Sequence, residues 1–252
     1  RIRCVKSKLK IEFNCSMLND IDPDKVVAHG AAIQANILSG NCKENVLLLD
    51  VLPLSLGIET YGGLSEKIIH RNTPIPINAE KTFTTFKDGQ SKLLVHVIQG
   101  EREMVEHCSS LGEFILNDIP SMVSGVPRIV VEFQVDADGI LSVTATENIS
   151  GVSSSIEVKP SYGLSDSEIA KMIEASNSSA KGDVFLRKLN ESKVEGERVI
   201  YALEQALDRD GNDLLNATEL NLITTALNNL KNNISIKDPE KINKLIINLE
   251  TV

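Results

Sequence analysis

With 252 residues, 42% of them hydrophobic and 24% charged, the chain has enough apolar material for a sizeable core and lacks the composition of a disordered segment. Its formal charge of -9 disfavours nucleic-acid phosphates and anionic membrane faces, where Lys and Arg drive binding, so polypeptides are the expected partners. The four cysteines, Cys4, Cys15, Cys42 and Cys108, form no C-x-x-C pair and meet no His at ligand spacing, so the expectation is no metal and reduced thiols in a cytoplasmic protein.

In chain order, no run approaches the ~18 apolar residues of a membrane span. The start at Arg1, without Met or a leader pattern, is expected of an internal piece of a longer protein. A basic stretch, RIRCVKSKLKIEF, comes first, and a helix is then predicted from Asp22-Pro23-Asp24 onward, with Val26, Val27, Ala31, Ile33 and Ile37 as its apolar positions. Val46, Leu47, Leu48, Leu49 and Asp50 form a compact apolar run closed by a charge, which reads by itself as a buried strand.

From about 51 to 160 the pattern is β. Strands are predicted at Leu54 to Thr60, Glu66 to His70, Lys81 to Phe86, Lys92 to Gln99, Glu113 to Leu116, Ile129 to Val135, Ile140 to Thr146 and Ser153 to Val158. Gly62-Gly63, Asp88-Gly89, Gly125-Val126-Pro127 and Asp138-Gly139 supply turns between them, and short half-apolar strands at this spacing suggest a sandwich or barrel. Past Gly163 the period becomes helical. Ser165 and Glu168 make a capping box, a long helix follows to a break at Asp210-Gly211-Asn212, and two shorter helices are predicted at about 216 to 233 and 238 to 251.

Two chemical readings compete at this level. Asp208, Asp210, Asn212, Asn216 and Glu219 stand at calcium-loop positions one, three, five, nine and twelve, but position six holds Asp213 where the sharp turn wants Gly. An enzyme reading finds no Walker-type loop, no G-x-S-x-G and no H-E-x-x-H, and His29, His70, His96 and His107 suggest no nucleophile or metal constellation.

VLLLDVLPLSLGIET at 46–60, NTPIP at 72–76, FTTFKDGQ at 83–90, QGERE at 99–103, DADGILSVTATE at 136–147 and SYGLSDSEI at 161–169 together resemble the DnaK-type heat-shock chaperones. The resemblance is closest to the HscA-like members that serve iron-sulfur cluster assembly, and DPDKVVAHGAAIQANIL at 22–38 is similar to the closing helix of the family's ATPase domain.

The resemblance implies an α+β fold: a β-sandwich peptide-binding subdomain over 51–160, a helical lid over 161–252, an interdomain linker over 46–50, and a remnant of the nucleotide-binding domain over 1–45. It implies a pocket at Ile58, Phe83, Leu93 and Val95, with Thr60, Thr84 and Gln90 beside the peptide backbone and Tyr61 and Phe86 as an arch. Phe86 is bulkier than the small residue usual in general members, which suits stacking on proline. The implied client is a Leu-Pro-Pro-Val-Lys segment of the iron-sulfur scaffold protein, with a J-domain co-chaperone acting through the parent. ATP and Mg belong to the full-length parent, so the piece itself is expected to take no cofactor and not to be an enzyme. From the residues alone, plain core packing for the four pocket residues, a dimerisation bundle for the tail and self-association through the linker remain open, as do a general DnaK-type module and a calcium-responsive interaction domain.

Overall fold

The computed structural model describes residues 3–13, 22, 24–39, 50–160 and 164–251. The chain divides into two compact units, 1–49 and 50–252.

In the first unit α1 (Arg3–Phe13) occupies the stretch that reads only as basic. It contains no Gly or Pro, and its Lys, Leu and Glu are strong helix formers, so propensity suffices where no apolar stripe is evident. In α2 (Val26–Leu38) the opening works as predicted: Asp22 Oδ1 accepts from Asp24 N at 3.0 Å, and Asp22 O accepts from Val26 N at 3.0 Å. Val26, Val27 and Ile33 are nevertheless exposed. Val46, Leu47, Leu48 and Leu49 lie outside the described residues, whereas Asp50 opens the first strand.

The second unit begins with β1 (Asp50–Val51), β2 (Leu56–Thr60), β3 (Leu64–Ile69), β4 (Pro74–Ile75) and β5 (Ile77–Phe83). It continues with β6 (Leu93–Gln99), β7 (Ser109–Leu116), β8 (Ile129–Val135), β9 (Leu141–Glu147) and β10 (Ser153–Val158). Two four-stranded antiparallel sheets, ordered β3-β2-β6-β7 and β10-β9-β8-β5, enclose one apolar core, and β1 pairs with β4 apart from them. Alternation makes that core: Ile129, Val131, Phe133 and Val135 of β8 and Leu141, Val143 and Ala145 of β9 are wholly buried, while the residues between them face away. Each of these side chains larger than Ala contributes about 1.5–3 kcal/mol by leaving water. Leu56, Ile58, Val95, Val97 and Leu116 close the core from the other sheet.

β7 starts at Ser109 rather than Glu113 and β4 was not predicted, but the strand shifted as a whole is β5. It starts at Ile77 and ends at Phe83, because Thr84 to Phe86 leave the ladder to form a loop held by Gln90, whose Oε1 accepts from Phe86 N at 3.2 Å and Lys87 N at 3.4 Å.

The helices that follow are α3 (Asp166–Leu214), α4 (Ala217–Asn233) and α5 (Pro239–Glu250). The predicted box starts α3: Glu168 Oε2 accepts from Ser165 N at 2.8 Å and Ser165 Oγ from Glu168 N at 3.4 Å. The predicted break at 210–212 is absent, since α3 runs on to Leu214; an internal Gly costs a helix only about 1 kcal/mol. This also corrects the calcium reading. Residues 208–214 are helical, and the remaining ligands cap α4 instead, Asn216 Oδ1 accepting from Glu219 N at 2.9 Å and Glu219 Oε2 from Asn216 N at 3.0 Å. Leu189, Leu227, Leu230, Ile242, Ile246 and Leu249 form a second core among the three helices.

Candidate functional site: an arched apolar groove

Ile58 on β2, Phe83 at the end of β5, and Leu93 and Val95 on β6 come from strands distant in sequence and line one hollow of about 490 Å³. Thr60, Tyr61, Thr84, Phe86 and Gln90 line the same hollow, so the structure brings together all nine residues singled out from the sequence. Ile58 and Val95 are buried at its base, whereas Phe83 and Leu93 remain partly accessible.

Tyr61 and Phe86 stack over this hollow with ring centroids 4.0 Å apart and planes 14° from parallel. Tyr61 can stand there because the chain reverses behind it through Gly62 and Gly63, whose φ angles of +88° and +68° suit residues without a Cβ. Its hydroxyl donates to Glu197 Oε2 on α3 at 3.1 Å, and burial together with that carboxylate pushes the phenol above its ordinary pKa, which keeps it a donor. The stacked pair also lines a second recess of about 430 Å³, with Thr60, Phe83 and Thr84 shared between the two and Ser124, Gly125, Arg128 and Arg198 found only in the second.

Two of the polar residues are already engaged. Gln90 donates through Nε2 to Lys92 O at 2.8 Å while its Oε1 holds the loop, and Thr60 Oγ1 donates to Leu64 O at 3.3 Å. Glu59, Lys87, Leu94, His96 and Val131 also line the hollow and were missed from the sequence. Period two gave no help with Glu59 and His96, because residues that alternate with Ile58 and Val95 are placed by it on the opposite face; the two meet across the sheet, His96 Nδ1 lying 2.6 Å from Glu59 Oε2. Val131 had no signal either, because its place depends on which strands pair.

Helix α3 is fastened beside the groove by charge. Arg102 donates from Nε and Nη2 to the two Asp183 oxygens at 2.5 and 2.9 Å, with Asp183 almost wholly buried. Arg187 reaches Glu103 at 2.7 Å, Glu66 at 3.0 Å and Ser65 O at 3.2 Å, and Asn190 donates to Gly62 O at 3.2 Å. The Arg102 hydrogen bonds hold the Asp183 carboxyl below the usual range. For Glu66 and Glu103 burial pushes upward, but hydrogen bonds from Arg187 with Lys81 or Lys67 bring both carboxyls below their ordinary value, and the same contacts raise Arg187.

The family description "Hsp70 protein" matches residues 1–252. The chain is 53% identical over 235 residues to a "Chaperone protein HscA homolog" of Methylobacillus flagellatus, covering 93% of this chain and 38% of that protein. Proteins of the same description from Histophilus somni and Shewanella denitrificans are 56% and 57% identical over 228 and 220 residues, or 90% and 87% of this chain and 37% and 35% of theirs. The chain thus spans a little over a third of the length of these curated relatives.

Four expectations are corrected by the extent of the match. The fold-class reading divided the chain into a nucleotide-binding remnant, a β-sandwich peptide-binding subdomain and an α-helical lid, whereas the family match takes residues 1–252 as one stretch and draws no such division. The function of a chaperone's peptide-binding domain is corrected with it to the coarser finding that the chain is similar to chaperone proteins of this description. The expectations of a piece that is not an enzyme and takes no cofactor rested on the ATPase part being missing. A match along the whole chain to a family of ATP-hydrolysing chaperones removes that ground.

ATP and magnesium are that family's cofactors, and the lining of the groove does not fit them. The larger groove recess is lined mainly by apolar and aromatic side chains, and no group of three His, Cys, Asp or Glu among the described residues could hold a metal ion. The loop amides beside the recesses are occupied, Gly125 N donating to Thr85 O at 3.2 Å and Gly89 N to Met122 O at 2.9 Å, so no phosphate cradle is presented there. No step is derived through the nucleotide.

Proposed function

This chain belongs to the Hsp70 protein family, and from that premise we propose that its arched groove takes a stretched polypeptide, seating one apolar side chain among Ile58, Phe83, Leu93 and Val95. The observation that carries the reading is the gathering of Ile58, Phe83, Leu93 and Val95 in one hollow with the Tyr61–Phe86 stack in its lining. A peptide there meets an apolar seat and two aromatic faces, which select for side-chain character and extended shape with little demand on sequence. The breadth of Phe86 supports a proline-containing client, for which the Leu-Pro-Pro-Val-Lys segment of an iron-sulfur scaffold protein is the proposed example. The proposal extends to the whole protein, in which a J-domain co-chaperone and ATP would govern binding through a linker at 46–50. Its compartment would be the cytoplasm, in keeping with the free thiols of Cys4 and Cys108 and with no described helix being long and apolar enough to cross a membrane.

Fluorescence anisotropy with a labelled Leu-Pro-Pro-Val-Lys peptide tests the reading. Micromolar binding, about -8 kcal/mol, is expected. Leu93→Trp, which fills the seat, is expected to weaken it more than tenfold, and Phe86→Ala to change the preference for proline. Equal binding of unrelated apolar peptides would point to a general chaperone of the family, and unchanged binding by Leu93→Trp would refute the groove.

A further inference from the structure

The recesses on the two sides of the Tyr61–Phe86 stack differ in charge. In the larger one Glu59 offers a carboxylate, shared with His96, and Lys87 a cation. The smaller one contains no acid among its lining residues and has two cations, Arg128 and Arg198. Three carboxylates from outside the lining already bond to it, Glu195 receiving Arg198 at 2.5 and 2.9 Å, Glu197 accepting from Tyr61 and Asp88 from Ser124 N at 2.7 Å, so Arg198 is paired and Arg128 is the cation left to consider. Arg128 is exposed, and its guanidinium has no side-chain partner among the described residues.

An arginine presented without a counter-charge beside an apolar seat is a ready partner for a carboxylate, which it can hold through two parallel hydrogen bonds. Resting on the polypeptide reading above, we infer that the groove reads charge on one side only. The preferred segment places its apolar residue in the larger hollow and carries an Asp or Glu where the chain emerges beside Arg128. Because the other side carries both signs, the residue leaving there is read far less by charge. This polarity fixes which way the segment runs beneath the stack, something the apolar seat cannot do. It also defines the client more narrowly than "apolar": an apolar core with an acidic flank at one end.

The test uses the full 252-residue chain and Leu-Pro-Pro-Val-Lys peptides extended at either end by Glu, Gln or Lys, read by anisotropy. At one end only, Glu is expected to bind about three- to tenfold tighter than Lys, the size given by a partly exposed ion pair counted once as attraction and once as repulsion. Raising the salt should shrink that ratio. Arg128→Lys should keep the preference, Arg128→Ala should shrink it, and Arg128→Glu should reverse it, whereas Arg198→Ala should move it less. Equal binding of Glu and Lys at both ends, or a preference that survives Arg128→Glu, would overturn the inference while leaving the groove reading intact. Failure of every peptide to bind would instead sink the groove reading and this inference with it.

Discussion

At the scale of single residues, two positions show how little tolerance the sheets have beside the site. A Cβ on Gly57 would lie 2.2 Å from Glu66 O, at the irregularity that shifts the β2–β3 register. Gly57→Ala is therefore expected to lower the urea midpoint sharply and to weaken peptide binding with it, because Ile58 is the next residue. Glu147 is wholly buried at the end of β9, where Oε2 accepts from Ile149 N at 3.0 Å and from Ser150 N and Oγ at 2.7 Å each. Burial pushes its pKa up, but those hydrogen bonds outweigh burial and hold it below the ordinary value. Glu147→Ala strands these donors and should cost about 2–3 kcal/mol, measured by urea unfolding. Neither role was legible in the sequence. A lone Gly in a strand and a Glu before a turn carry no mark of the backbone they face, whereas Gly62-Gly63 announced its turn because two glycines together rarely serve anything else.

At the scale of elements, the fastening of α3 predicts a pH dependence with a definite sign. Asp183, Glu66 and Glu103 all have folded-state pKa values below their ordinary ones, so their contribution is present above the normal carboxylate range of about 4 and is lost as the pH falls through the depressed values. Thermal unfolding followed from pH 7 downward should show the midpoint dropping below about pH 4. Asp183→Ala, which leaves Arg102 without its buried partner, should cost about 3 kcal/mol at neutral pH and flatten that decline. At the start of α4, Asn216→Ala removes the acceptor for two backbone amides and should cost about 1 kcal/mol by the same assay, with no change in calcium response. The caps at Ser165, Asn216 and Asp238 were in reach of the sequence because capping chemistry is local. The continuity of α3 past 211 was not, since one Gly and several Asp and Asn weaken a helix without ending it.

At the scale of the whole molecule, the strands were legible from alternation and turns, and the nine groove residues from their resemblance to a family. The pairing that brings β2, β5 and β6 around one hollow was not, because antiparallel order between distant strands leaves no trace in local pattern. For the same reason Val131, Arg128 and Arg198 entered only with the coordinates. Resemblance also led too far in one respect: it set the piece down as neither an enzyme nor a holder of a cofactor, a ground that the family match over residues 1–252 removes. The most direct test of the groove is hydrogen exchange of the chain with and without saturating Leu-Pro-Pro-Val-Lys peptide. Slowed exchange concentrated at residues 56–61 and 83–95 is the predicted result; protection confined to α4 and α5, or none anywhere, would contradict it.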